Sequence, residues 1–537
     1  MRRTPKMQED DFAGESMEFV DLSGKGVETI PIFLYKHAHV IRSLNLAKNR
    51  PFDLPTDFIQ GCTSLRELVL SDMGIKRVPH AIKECAQLER LDISNNNIVD
   101  LDHISLHELQ SLTSIKCYNN RLSTVPEAFR ELRHLRYLNL SNNRFDKLPL
   151  VISEIESLVE LDLSFNTLTV IPPEIGQLEN LERLHLLANL ITTLPPTLGS
   201  LVSLKEIDCR RNVISDLTPL TAIRSLELLR FDHNQVSSLD ATWANLRIFT
   251  AKHNSFTRFA LSGTTTTLTS LNLSYCKLSN LSTDVFSQLG AVETLTLDGN
   301  TLRFLPDNLG TLSKLVTLSV KNNLLTSLPD SLGRLSNLQA LHVSGNNLHG
   351  LPQQIWFCAQ LATINASSNL IKEFPDPPLQ TATTTPPNAL DNPMETIDVR
   401  KQSTVSGGGR AALPLSLALQ RLYMADNQLG DDVFAPISLM AELRLLNLSF
   451  NDIYEIPASS LFKCQRLEEL YLSGNKLTTL PPDDLERLVN LRVIYVNGNK
   501  LQTLPAELGK IKKLYALDVG SNVLKYNIAN WPYDWNW

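Results

Sequence analysis

Nothing in this 537-residue chain approaches the roughly 18 consecutive apolar residues that a membrane-crossing helix needs. The N-terminus, MRRTPKMQEDDFAGES, has no apolar core and does not read as a signal peptide. There are only seven cysteines (Cys62, Cys85, Cys117, Cys209, Cys276, Cys358 and Cys464), an odd number without paired spacing, so a disulfide framework is not expected. This usage points to a reducing, cytoplasmic location. A net charge of −7 argues against a general nucleic-acid binder. Phosphate-loop, dinucleotide and metal-ligand signatures are missing. His103 and His107 stand four apart without the glutamate of a zinc-protease helix. Asp162, His185 and Asp208 recur at one place of successive segments, but no nucleophile accompanies them. Catalytic, cofactor and metal residues are therefore expected to be absent from this chain.

What the chain has in abundance is one pattern. The stretch LNLSNNRFDKLPLVISEIESLVEL carries Leu138, Leu140, Asn143, Phe145, Leu148 and Pro149, then Ile152, Ile155 and Leu158, and the pattern restarts at Leu161. The alternating start predicts a short strand with its leucines on one face. The remainder must cross over and return to lay the next strand in parallel, with right-handed coiling. Neither half can bury its apolar face alone, so the unit is stable only when stacked. Anchors equivalent to Leu138 recur 21 times, from Val20 to Leu517, mostly 22 to 24 residues apart. The fold class is α/β: a leucine-rich repeat solenoid built on a curved parallel sheet.

Five residues after the anchor stands asparagine in 18 of the 21 repeats: Asn49, Asn96, Asn120, Asn143, Asn166, Asn189, Asn212, Asn234, Asn254, Asn300, Asn323, Asn346, Asn369, Asn427, Asn451, Asn475, Asn499 and Asn522. Lys25, Met73 and Cys276 are the exceptions. Where the strand ends, backbone groups leave the ladder while still buried, and a carboxamide offers two donors and an acceptor to pair them. These asparagines are a structural ladder. Proline stands eleven residues after the anchor in 14 repeats.

Along the chain, residues 1–17 are polar and expected to be disordered. A first block of repeats covers 18–375, and from Ile207 to Leu271 the spacing shortens and the four proline positions are empty, which predicts a changed crossover there. Residues 376–413, rich in Pro, Thr, Ser and Gly, cannot bury a core and read as a disordered insertion. Its Gly407-Gly-Gly409 run follows no strand, so it is not a phosphate loop. A second block covers 414–530. Residues 531–537, with Trp531, Tyr533, Trp535 and Trp537, read as an aromatic lid or an incomplete next repeat.

The terminal segment LPAELGKIKKLYALDVGSNVLKYNIANWPYDWNW resembles the last part of the leucine-rich region of fungal adenylate cyclases. The repeat form itself also resembles the wider Ras-associated class, including Ras suppressor and Scribble-like scaffolds. The cyclase resemblance implies a region that binds a GTP-bound Ras-type GTPase, peripheral to the inner membrane face through that partner. It also implies that a phosphatase-2C-like domain and a cyclase domain follow, the latter making cyclic AMP from ATP with magnesium. Neither domain fits within these residues, so the chain is expected to be cut short before them. A free-standing scaffold without enzyme activity is the alternative, and self-association is left open.

Two surfaces are candidates for that partner. Arg183, His185, Arg210, Arg211, Arg230, His233, Lys252 and His253 form a mixed but locally basic patch, interleaved with Glu206, Asp208 and Asp232. Such a patch suits an acidic partner face; the plainer reading is solvated charge with cross-strand pairs. Tyr423, Tyr471 and Tyr495 form an aromatic row that either anchors an interface or covers the sheet.

Overall fold

The computed structural model describes residues 17–256, 258–261, 267–378 and 414–525. The N-terminal segment, most of the insertion and the aromatic tail lie outside these residues. The chain divides into two compact units, Met1–Asn254 and Ser255–Trp537. The repeats supply twenty-one parallel strands, eleven from the first unit and ten from the second.

Each strand is three residues long with the anchor at its centre, and every anchor except Leu517 is buried. Arg183–His185 pairs in parallel with Glu206–Asp208, Leu184 facing Ile207, and this one-to-one register recurs along each unit. It also runs across the insertion, where Ile364 faces Leu422. Two residues past the anchor a second side chain turns inward; Cys117 and Cys209 fill that place as small apolar groups.

The commonest return limb is a single 3-10 turn, as at Pro173–Gln177, Asp307–Thr311 and Asp330–Arg334. The repeat proline precedes it in extended conformation, at φ −71° and ψ 150° for Pro172. Proline has no N–H to leave unpaired and its ring fixes φ, which suits the start of a turn. Stacked turns approach closely: a Cβ on Gly176 would lie 2.6 Å from the Thr197 carbonyl oxygen, and Gly310 and Gly333 face Ser331 and Gln354 in the same way. In the proline-free stretch the limb changes, as its shortened spacing predicts. Helix Thr218–Thr221 is followed by extended segments Ser238–Ala241 and Arg258–Leu261, then by helix Thr283–Ser287. Extended chain covers more distance per residue than a 3-10 turn, so a shortened repeat can still close its coil.

The asparagines sit where buried backbone needs partners. Asn189 donates through Nδ2 to the carbonyls of Leu163 (3.0 Å) and Leu186 (3.1 Å), and its Oδ1 accepts from the Leu168 N–H at 3.0 Å. One side chain thus ties its own coil to the one before. At two of the three places without the asparagine the next one takes a second donor: Asn96 Oδ1 accepts from Met73 and Ile75, and Asn300 Oδ1 from Cys276 and Leu278. Replacing Asn189 by Leu leaves these groups unpaired and should lower stability by roughly 1–3 kcal/mol, measured by urea unfolding.

All seven cysteines are buried as thiols. Burial pushes the thiols of Cys62, Cys85, Cys358 and Cys464 up to about 12, and those of Cys117 and Cys209 higher still. The native chain should therefore resist thiol alkylation at pH 8, and all seven should react once urea unfolds it. Rapid labelling of the folded chain would contradict this burial.

Candidate partner-binding surface

The side chains flanking each anchor stand on the sheet face. In the first unit that face is dense in charge, and the structure pairs much of it. Arg183 reaches Glu160 on the preceding strand at 2.8 Å. Arg210 grips the buried Asp208 of its own repeat through Nε at 2.9 Å, and Arg230 pairs with Glu206. The basic residues of the patch are thus interleaved with acids that neutralise three of them. Asp162 and Asp208 also shape the backbone, since each accepts, through Oδ1, the N–H two residues ahead and so fixes the strand's exit. Asn272 and Asn447 do the same in the second unit. Asp162, His185 and Asp208 are register neighbours, and the contacts of both aspartates are those of turn formers rather than of a catalytic relay.

His185 is a strand residue and Lys252 stands three after its anchor, as Arg210 does, but three patch residues occupy a different element. Arg211, His233 and His253 are not strand residues; they hold the position four after the anchor, where the chain takes the left-handed conformation (φ 54°, 58° and 55°). All 21 repeats turn this way, and only five of them place glycine there. This turn edge, not singled out from the sequence, runs Phe165, Ala188, Arg211, His233, His253 in five successive repeats. Backbone bonds such as Arg211 N to Asp232 O (2.9 Å) and His233 N to Lys252 O (2.7 Å) link its rungs. The rings of His233 and His253 stack, centroids 4.3 Å apart and planes within 15°. Burial and then the neighbouring His253, Arg211 and Lys252 pull the His233 imidazole below its ordinary value. A second run, Asn95, Asn119 and Asn142, forms an exposed carboxamide chain on the same edge (2.7 and 2.9 Å). The sequence signal for this edge was the recurrence of Gly and Asn one place before the ladder asparagine.

In the second unit Tyr471 and Tyr495 meet edge to face at 5.3 Å, and Tyr471 donates to Glu469 at 2.7 Å. Burial and Glu469 push its hydroxyl well above the usual phenol range. Tyr423 lies one strand further away, with Asn447 between it and Tyr471. The row is therefore a contacting pair plus a separate ring. Strands Ser270–Asn272 to Thr363–Asn365 instead present mostly small uncharged side chains, among them Thr294, Thr296, Thr317 and Ser319.

The two histidines that stand four apart in sequence have separate surroundings. His103 contacts Asp100 and the Val78 carbonyl, while His107 lies against Glu108 on a separate 3-10 turn. Among the described residues no group of three His, Cys, Asp or Glu side chains could hold a metal ion. An open depression lined by Glu293, Lys314, Val316, Asn337, Gln339 and Gln360 brings no nucleophile beside a base. No described helix is long and apolar enough to cross a membrane.

The pairing decides how the patch can be tested. Arg210→Glu would set a new carboxylate against the buried Asp208, and should lower the thermal midpoint by several degrees whatever it does to a partner. Arg211→Glu, on the exposed turn, should stay within about 0.5 kcal/mol of the parent. Equal losses in thermal unfolding would contradict the assigned ion pair.

Comparison with known proteins agrees with this architecture. The model of a leucine-rich repeat region matches residues 116–250, and the leucine rich repeat model matches 40–98, 86–145, 266–325, 313–371 and 441–501. An adenylate cyclase of Mycosarcoma maydis is 53% identical over 97% of this chain, and one of Podospora anserina is 40% identical over 96%. The chain spans only 22% and 28% of the length of these two relatives. Among solved structures, the plant peptide hormone receptor RGFR1 in complex with RGF2 superposes with a TM-score of 0.62 at 24% identity, covering 92% of this chain and 76% of the receptor. YopM from Yersinia enterocolitica superposes at 0.55 and 23%, covering 96% and 90%. These two likenesses are of fold alone. The chain belongs to the leucine-rich repeat family, as a repeat array similar over nearly its whole length to a stretch of fungal adenylate cyclases.

Proposed function

We propose that this chain is the regulatory, protein-binding arm of an adenylate cyclase, and that its partner is a GTP-bound Ras-type GTPase. The observation that carries this reading is the similarity to two fungal cyclases along 96–97% of the chain. The described residues supply a large side-chain-lined sheet and a charged edge, and no constellation suited to bond-breaking. Their chemistry is recognition. Conversion of ATP to cyclic AMP, with its magnesium, would belong to domains of the parent enzyme outside this region. The first unit is the favoured dock, since Arg183 to His253 concentrates cations where an acidic effector face can meet them. The GTPase, held at the inner face of the membrane, would bring the cyclase there.

The test is a pull-down of the full chain with a Ras-type GTPase loaded with a GTP analogue or with GDP, at physiological salt. The GTP-analogue form should be captured selectively, and capture should weaken as salt rises. Equal capture of both forms, or none, would overturn the GTPase reading in favour of a scaffold for a different partner.

A further inference from the structure

The second unit carries an aromatic and acidic surface on the two coils that follow the insertion. Residues 426–432 and 450–455 run from the left-handed turn of each coil toward its return limb, and together they hold five carboxylates and no Lys, Arg or His. Asp431 is engaged by the backbone: its Oδ1 accepts the Tyr454 N–H at 2.7 Å and the Glu455 N–H at 3.0 Å, which fixes one coil against the next. Asp426, Asp432 and Glu455 are exposed and form no ion pair among the described residues. Two large rings lie bare beside them, Phe450 at 63% exposure and Tyr454 at 54%. Gly474 of the next coil seats the Phe450 ring without burying it, since a Cβ there would lie 2.4 Å from the ring. The surface already receives one cation. Lys476, also from the next coil, places its ammonium 2.6 Å from Asp452 and 5.0 Å from the centre of the Tyr454 ring. Phe450, Asp432 and Glu455 carry no cation of this chain among the described residues.

We infer that Phe450 and Tyr454, bordered by Asp426, Asp432, Asp452 and Glu455, form a docking surface for a basic segment of a partner protein, one that presents arginine or lysine beside an apolar residue. Bare rings alone would suit any apolar partner, and the charge around them chooses the occupant. An acidic segment is repelled, and an uncharged one strips water from carboxylates without replacing it. A cation gains a carboxylate and a ring face together. Arginine suits both, because its planar guanidinium stacks on a ring while its N–H groups reach a carboxylate. Lys476 is the internal copy of this contact. It occupies Tyr454 and Asp452 only, and therefore competes with the partner for half of the surface. The inference is independent of the GTPase reading, which assigns an acidic partner to the cations of the first unit.

The experiment titrates the full chain with a short fluorescent peptide rich in arginine and carrying one leucine, at physiological salt, and with the same peptide after every arginine is exchanged for glutamate. Only the arginine peptide should bind. Asp432→Asn with Glu455→Gln should weaken it about fivefold, and Phe450→Asn with Tyr454→Ala about tenfold. Asparagine is chosen at 450 because it tolerates the left-handed backbone. Lys476→Gln, which frees Asp452 and Tyr454, should tighten binding about threefold. Lys512→Gln removes an equal charge from an exposed position of the same unit, and should change affinity less than about twofold. Glu156→Gln with Glu179→Gln, two exposed carboxylates of the first unit, should also stay within about twofold. Thermal unfolding checks that each variant is folded. Equal losses in the Glu156 and Glu179 variant reduce the binding to general attraction by a negative chain and overturn the surface. Affinity indifferent to both patch variants overturns it as well. Sedimentation of the chain alone tests a second copy as the occupant: self-association that the patch variants abolish overturns the separate basic partner.

Discussion

A leucine-rich coil must bend its backbone at the end of every strand, and the groups released there are buried. The structure meets this constraint with one side-chain type. Asn166, Asn189 and Asn212 each span two coils, receiving an N–H from the coil before and donating to carbonyls of both. Each bond is worth only about 1 kcal/mol net, but leaving the groups unpaired would cost more than making the bond gains. The ladder is therefore a condition for stacking rather than an added stabiliser. Its tolerance has a physical limit: at Met73 and Cys276 the following asparagine accepts two donors, so adjacent losses would have no such relief.

The same bend decides what the molecule shows to a partner. To bring the asparagine inward, the residue before it must adopt positive φ, and 16 of the 21 repeats do so without glycine. The left-handed conformation disfavours an ordinary side chain by roughly 1–2 kcal/mol, and it persists here because hydrogen bonds to the next coil fix it. Its consequence is an exposed side chain on every turn, in register with its neighbours. Where that side chain is aromatic, the next turn is small. The Tyr275 ring lies against Gly299 and the Phe450 ring against Gly474, where a Cβ would collide. A backbone requirement thus produces a continuous, variable edge, and function can be written on it without touching the core.

The sequence disclosed whatever repeats. Twenty-one anchors, the ladder asparagines, the proline-started return limb and its change between Ile207 and Leu271 all follow from period and spacing, and the structure places them accordingly. What escaped was decided between side chains rather than by period. Arg183, Arg210 and Arg230 could be placed on one surface from their positions, yet their partners depend on rotamers: the strand before for Arg183 and Arg230, the same repeat for Arg210. The apparent basicity of the patch was a count of residues, and pairing alters the count. Likewise, spacing put Arg211, His233 and His253 beside the sheet, but only the backbone angle moves them off it onto the turn.

These two surfaces also differ in what a partner gains from them. An acidic group that displaces Glu206 from Arg230 exchanges one exposed ion pair for another, and such pairs are individually worth about 0–1 kcal/mol. To an acidic partner the sheet face of the first unit would therefore offer little net affinity, while it would penalise a misplaced charge. Arg211, on the exposed turn, forms no ion pair with a described carboxylate, and Phe165 and Leu190 would release water if covered. The second unit follows a third rule. Thr294, Thr296, Thr317 and Ser319 neither attract nor repel charge, and their small side chains lose little freedom on burial. One scaffold thus presents a charged turn edge, an ion-paired face and a largely uncharged face, all three set by the side chains that the asparagine ladder leaves free.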